Sequence, residues 1–318
     1  MLPPPIARRS FLRTGGISLG GIALGQLLAR EGQAAGAIPR LPFAPKAKRV
    51  IWLYMAGGMS HIDTFDNKPK LAQMNGQPMP ESVTKGKQIA QLQGAKLNCL
   101  APQHPYKKWG QSGQEISVIW PKLSEACADK ICIVRSLSTE AINHDPAHTF
   151  MNTGSMIPGR PAMGSWLLYG LGSESDNLPG FIVLVSTGKF GQRQPIAARQ
   201  WHSGFLPGQH QGVELRGTGD PVLYVRNPAG VDMPAQRQVV DAVGDLNRLR
   251  DRAVDDPEIS TRLSQYELAF RMQTSVPGLM DLSSEPKNVL DLYGTKGGDG
   301  SFGSNCLLAR RLAERGVR

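Results

Sequence analysis

The sequence lacks any C-x-x-C pair. Its four cysteines, Cys99, Cys127, Cys132 and Cys306, also miss zinc-finger spacing. Their absence removes the motifs of haem-attachment, iron–sulfur and thioredoxin-like proteins, so electron transfer has no support in the chain. Cys127 and Cys132 are close enough for a bridge across a helix-to-strand turn, but buried free thiols are the stronger expectation. Acidic residues are in short supply: 36 Lys and Arg face 26 Asp and Glu, a net charge of +10. Arg8, Arg9, Arg13 and Arg30 less Glu31 carry +3 of it. The remaining cations are dispersed and no basic stripe is interleaved with aromatics, which argues against a nucleic-acid partner. A mildly anionic ligand or a polyanionic envelope suits that charge. No internal repeat or coiled-coil pattern appears.

Long apolar runs are missing as well. The uncharged stretch near the start, Ile17 to Ala29, is diluted by Gly20, Gly21 and Gly25. It falls short of the ~20 apolar residues needed to span a bilayer. It follows Arg8-Arg9-Ser10-Phe11-Leu12-Arg13 and precedes the small residues Ala34 to Ala37. Residues 1–37 therefore read as a twin-arginine signal peptide cleaved near Ala35 or Ala37. The expected partner is the twin-arginine translocase. The destination is the periplasm or the exterior, with no membrane anchor left after cleavage. About 280 residues remain, enough for a substantial core.

Glycine and proline are plentiful, 36 and 24 residues, and predict long ordered loops. Between them, Val50 to Met55 is a continuous apolar run stopped by Ala56-Gly57-Gly58, as in a strand buried on both faces. Ile131 to Val134 and Phe181 to Val185 predict further strands, and Val222 to Val225 a short one. Residues 66–115 predict an excursion of irregular elements. Helices are expected at Leu123 to Asp129, at Val239 to Arg252 and at Ile259 to Gln273, with Asp256 and Ser260 as caps. The last helix runs from Ser301 and closes at Gly316. Such a helix ordinarily delivers the chain into another strand, so the sequence is expected to be the amino-terminal portion, 38–318, of a longer domain.

Two clusters hold reactive side chains. The first, Gly57-Gly58-Met59-Ser60-His61-Ile62-Asp63-Thr64-Phe65-Asp66, follows the first expected strand, the usual place for a site in an open α/β sheet. His61 and Asp63 are two apart and would face one side of an extended loop, where they suit a shared metal. The same spacing suits Asp63 and Asp66 capping the next element. The second cluster is Asn143-His144-Asp145-Pro146-Ala147-His148. With a helix beginning at Pro146, His144 and Asp145 lie at its amino end, where N–H groups attract anions. Metal ligation, acid–base work and anion binding all fit, as does a capped helix with a structural histidine.

These residues, with Gly159-Arg160-Pro161-Ala162-Met163-Gly164-Ser165-Trp166, Gly204-Phe205-Leu206-Pro207, Tyr266 to Gln273 and Cys306 to Arg311, resemble a family of exported bacterial proteins. It is catalogued as domain of unknown function 1501 and is sulfatase-like. The resemblance implies the alkaline-phosphatase and sulfatase superfamily: a three-layer α/β sandwich with a mostly parallel central sheet. It also implies hydrolysis of sulfate or phosphate esters, such as a sulfated glycan, with a divalent metal, zinc or calcium. The sulfatase pattern Cys-x-Pro-x-Arg followed by Leu-x-Thr-Gly shares the spacing of His144-Asp145-Pro146 to Thr153-Gly154, and this puts His144 at the nucleophile position. The Ala-Asp-Asp pattern falls on Ala56-Gly57-Gly58, so glycines replace the metal-holding carboxylates. A rearranged set, His61, Asp63, His144 and Asp145, would then hold the metal. His144 and Asp145 would carry catalysis, and Ser60, His148 and Arg160 would bind the substrate.

Overall fold

The computed structural model describes residues 46–318, apart from 88, 90, 91, 93, 189, 190, 192–195, 223–225, 255 and 256 and the side chains of 252–254, 257 and 260. The expected signal peptide, Asp256, the cap Ser260 and most of the expected strand at 222–225 lie outside the described residues. The chain forms two compact units, one of residues 53–160 and 195–200, the other built from the segments up to Trp52, 161–194 and 201–318.

In the first unit, helical turns α1 (His61–Thr64), α2 (Pro69–Gln73) and α3 (Glu81–Thr84) precede a hairpin of β1 (Tyr106–Trp109) and β2 (Gln114–Ser117). The strands are antiparallel, with Tyr106 opposite Ser117 and Trp109 opposite Gln114. Gly110 and Gly113 take the positive φ that the connection needs, and the Asp129 carboxylate accepts the Gln111 and Ser112 N–H groups. Trp109 and Ile116 are buried under Ala128, with Phe65, Trp120, Ile131 and Ile133 packed against them. Helix α4 (Pro121–Cys127) starts on proline, whose missing N–H costs nothing there. Helix α5 (His144–Thr153) ends at Gly154, which is left-handed and donates to the Phe150 carbonyl.

In the second unit, α6 (Met163–Leu171) is followed by β3 (Ile182–Leu184) and β4 (Val213–Leu215), which pair in parallel with Val183 opposite Glu214. Long helices α7 (Met233–Val254) and α8 (Pro257–Met280) pack on each other and contain both helices expected in this stretch. They are followed by α9 (Lys287–Tyr293) and α10 (Phe302–Glu314). Leu215 of β4, Met272, Val276 and Leu279 of α8 and Leu312 of α10 make the core. Buried Arg311 is neutralised by Glu285 at 3.1 Å and donates to the carbonyls of Asp281 and Gly278, which keeps its charge compensated.

The α/β class holds, with an antiparallel and a parallel two-stranded sheet among the described residues. Two strand expectations need correction. Val50 to Met55 is extended but forms no strand, and Val50, Ile51, Trp52, Leu53 and Met55 are 47–62% exposed. An apolar run is buried in a sheet only where neighbouring strands flank it, and here the chain enters the run with Val50 N–H donating to the Arg318 carbonyl at 2.9 Å. Ile131 to Val134 likewise forms no strand, with Ile131 and Ile133 inward and Cys132 and Val134 outward. All four cysteines are free, so Cys127 and Cys132 form no bridge; only Cys99 is buried. No helix among the described residues is long and apolar enough to cross a membrane.

Candidate functional site

The first unit joins two of the expected motifs. Met55 to Gly58 makes a tight turn, closed by Gly58 N–H to the Met55 carbonyl at 3.1 Å. Gly57 is at φ +83°, the positive value a type II turn demands at its third residue. The Gly57 N–H, left free by that turn, donates to His148 Nε2 at 3.1 Å across 91 residues of sequence. An imidazole nitrogen that accepts carries no proton, so this bond assigns the His148 hydrogen to Nδ1. His148 is buried, and Tyr54 packs edge-on against it with ring centroids 5.8 Å apart. Burial, and then the neighbouring His144, lower the His148 pKa, which keeps the ring neutral as its acceptor role requires.

Helix α5 starts two residues earlier than the proline suggested. Asn143 is its N-cap residue and His144 its first helical residue, with Pro146 at the third position, where no intrahelical N–H bond is lost. His144 and His148 are four apart and share a face, their ring centroids 6.0 Å apart. His148 points into the turn, whereas His144 is exposed at the helix start. A Cβ added to Gly57 would lie 3.8 Å from His144 Cε1, an ordinary contact distance, so the imidazole rests beside the turn. The Asn143 side chain caps nothing. Asp145 forms an ion pair with Arg199 at the surface.

The other predicted residues are arranged differently. Ser60 donates from Oγ to Asp63 Oδ2 at 2.6 Å, and the Gln103 N–H donates to Asp63 Oδ1 at 2.6 Å. Those two bonds, in that order, lower the Asp63 pKa, and they engage both carboxylate oxygens. His61 is exposed and lines a cavity of about 490 Å³ with Phe65, Ile131, Ile133 and Arg135. Among the described residues no hydrogen bond or ring contact links His61 or Asp63 to His144 or Asp145. Nor is any group of three His, Cys, Asp or Glu gathered for a metal. Arg160 lies exposed in a turn beyond α5. Sequence reasoning missed Tyr54, hidden in an apolar run, and Arg199, 54 residues from Asp145 in a stretch without periodicity.

A mixed α/β protein with a histidine-bearing helix start set against a glycine turn is thus the class defined by fold and site. Residues 47–318 match the family described as "Protein of unknown function (DUF1501)", and the chain belongs to that family. No curated protein and no solved structure matches it.

Proposed function

We propose that this chain is a sulfatase-like protein, exported by the twin-arginine translocase to the periplasm or beyond, that hydrolyses sulfate or phosphate esters at the start of α5. The observation that carries this reading is the Gly57 to His148 hydrogen bond. In the superfamily register, the turn at 56–58 stands for the metal-holding loop and His144 for the nucleophile. The hydrogen bond brings those two positions side by side. The three-layer sandwich belongs to the same reading, and the parallel pair β3 and β4, packed against α8 and α10 through Leu215, supports it.

The donors do not fit a resident zinc or calcium ion. Gly57 and Gly58 offer no carboxylate, both Asp63 oxygens are engaged, and His148 Nε2 is occupied. The chemistry assigned to this chain is therefore that of its own side chains. An ester anion would sit at the N-terminus of α5, where N–H groups and the helix dipole favour negative charge. Arg199, with donors beyond the one given to Asp145, adds a cation. His144 takes a proton from the attacking water as the water oxygen bonds to sulfur or phosphorus, and returns it to the departing alkoxide. His148 and Asp145 position the turn and the arginine, and Ser60 supports Asp63 rather than a substrate.

The full-length protein should cleave 4-nitrophenyl sulfate or 4-nitrophenyl phosphate. His144→Ala should lower kcat by about 10²-fold or more, as loss of a general base does. Absence of turnover on both esters, or an unchanged rate in His144→Ala, would overturn the assignment. The second reading is a non-catalytic envelope or glycan-binding protein that keeps the fold. It is favoured by the internal engagement of Asp63 and by the glycines at 57 and 58. Tight ligand binding without turnover would select it.

A further inference from the structure

Aromatic residues are scarce in this chain, 20 of 318, yet three of them stand exposed side by side on the second unit. Trp166 and Tyr169, three apart on one face of α6, are 45% and 58% exposed, and Phe205 is 65% exposed. With His210, from the 3₁₀ turn Gly208–His210, they form a continuous chain of rings. The Phe205 and Trp166 centroids are 5.7 Å apart, Trp166 and Tyr169 6.1 Å, Tyr169 and His210 5.6 Å, with interplanar angles of 73°, 80° and 89°. Each neighbouring pair makes a right-angled corner, one ring offering its face and the next its edge.

The arrangement is held from beneath. The Ala162 N–H and the Ser165 hydroxyl both donate to the His202 carbonyl, at 3.1 and 3.3 Å, which fixes the start of α6 to the loop that carries Phe205. Gly204, at φ +59°, donates to His202 Nδ1 and turns the chain so that Phe205 projects outward. Ser165 of α6 and Trp201, next to His202 in the chain, are both buried. At one end the Gln209 amide lies 3.2 Å from His210 Nε2, a neutral pair able to donate and accept.

Exposed aromatic groups need an occupant, and three properties of the patch choose one. Aromatic side chains bury about 150–250 Å² each. Three half-exposed rings and an imidazole therefore offer a few hundred Å², short of the ~800 Å² per partner of a stable protein interface. Helix α6, MGSWLLYGL, carries no Lys or Arg, the residues that hold an interfacial helix on a lipid surface. The corners suit a ring with an apolar face and a polar rim, and such pockets pair aromatic walls with a few placed polar groups. We propose that Trp166, Tyr169, Phe205 and His210 form a carbohydrate-binding surface that stacks the C–H face of a neutral pyranose and leaves its hydroxyls to the Gln209 and His210 edge. The assignment rests on the packing of these rings alone, and a hydrolase or a non-catalytic protein would carry it equally.

Isothermal titration of the full-length protein with cellotriose, chitotriose and maltotriose tests it by binding, without reference to turnover. At least one trisaccharide should bind, and Trp166→Ala or Phe205→Ala should weaken it about tenfold or more. Trp166→Tyr should bind within about threefold of the parent, since a flat ring remains. If Trp166→Ala fails to fold, Phe205→Ala and Trp166→Tyr carry the test. Three results would overturn the proposal: no binding of any trisaccharide, binding untouched by both alanine variants, or a patch occupied otherwise. The last would appear as Phe205-dependent sedimentation with phosphatidylcholine–phosphatidylglycerol vesicles, or as a dimer dispersed by Phe205→Ala, in protein that binds no sugar.

Discussion

Two helices of this protein begin in opposite ways. At the start of α10, Ser301 Oγ accepts the Ser304 N–H at 3.2 Å. Asp299 just before it accepts from the Ser301 N–H, the Lys296 N–H and the Thr295 hydroxyl. At the start of α5 the N-cap side chain makes no such bond, and the exposed first residue is a histidine. A helix start that satisfies its own donors is a structural joint, whereas one left open has donors to offer to something else. That difference, more than the presence of His144 alone, is why the proposed chemistry is placed at α5.

The comparison can be broken by substitution. The largest effect belongs to Gly303 in α10, where an added Cβ would collide with the Tyr293 carbonyl oxygen, a backbone atom with little room to move. Gly303→Ala should cost about 2–3 kcal/mol in denaturant unfolding; a loss under half that would mean the joint is loose. Gly57→Ala comes next. It meets only ordinary contact with His144 but must hold a left-handed backbone. Thermal unfolding should register about 1–2 kcal/mol, and the His148 bond should persist in the variant.

Acid should act on the two starts in separate windows. Partial burial alone would raise the Asp299 pKa, but the hydrogen bonds from Ser301, Thr295 and Lys296 outweigh it and bring the carboxyl to about 2. A depressed folded-state pKa gives stability that is present above the unfolded value near 3.9 and lost as pH falls toward about 2. Asp299→Asn should abolish that loss while costing about 1 kcal/mol at neutral pH, a figure kept small by solvent screening. The His148 pKa is also lowered, by burial first, but in a base this favours the neutral form. Its contribution is full above the unfolded value near 6.5 and declines as pH falls below it. Urea titrations across the pH range would separate the windows, and a single pH window shared by the two groups would contradict the assignment. The smallest effect is expected at Asn143→Ala. No cap bond exists to lose, so stability should change by less than about 0.5 kcal/mol, against the ~1 kcal/mol of an engaged cap.

Much of the helical skeleton was legible in advance. Apolar spacing of three and four marked the residues that became α7 and α8, and the run closing at Gly316 became α10, because the period of a helix is written locally in its sequence. Phe181 to Val185 contained β3, but the run could not name β4 as its partner, since strand pairing is a long-range choice. The same limit explains Val50 to Met55. Its apolar residues state a preference for burial, and only neighbouring backbone can supply it.

The sequence by itself determined which side chains are available: a histidine and a carboxylate ahead of Pro146, glycines where a turn needs positive φ, and family membership over 47–318. The tertiary structure alone decided their duties. Asp63 turned to Ser60 and Gln103, His148 was buried with Nε2 bound to Gly57, and His144 was left exposed beside the turn. The reason is geometric. A hydrogen bond between residues 57 and 148 depends on how the intervening chain folds, and no local pattern of residue types encodes it.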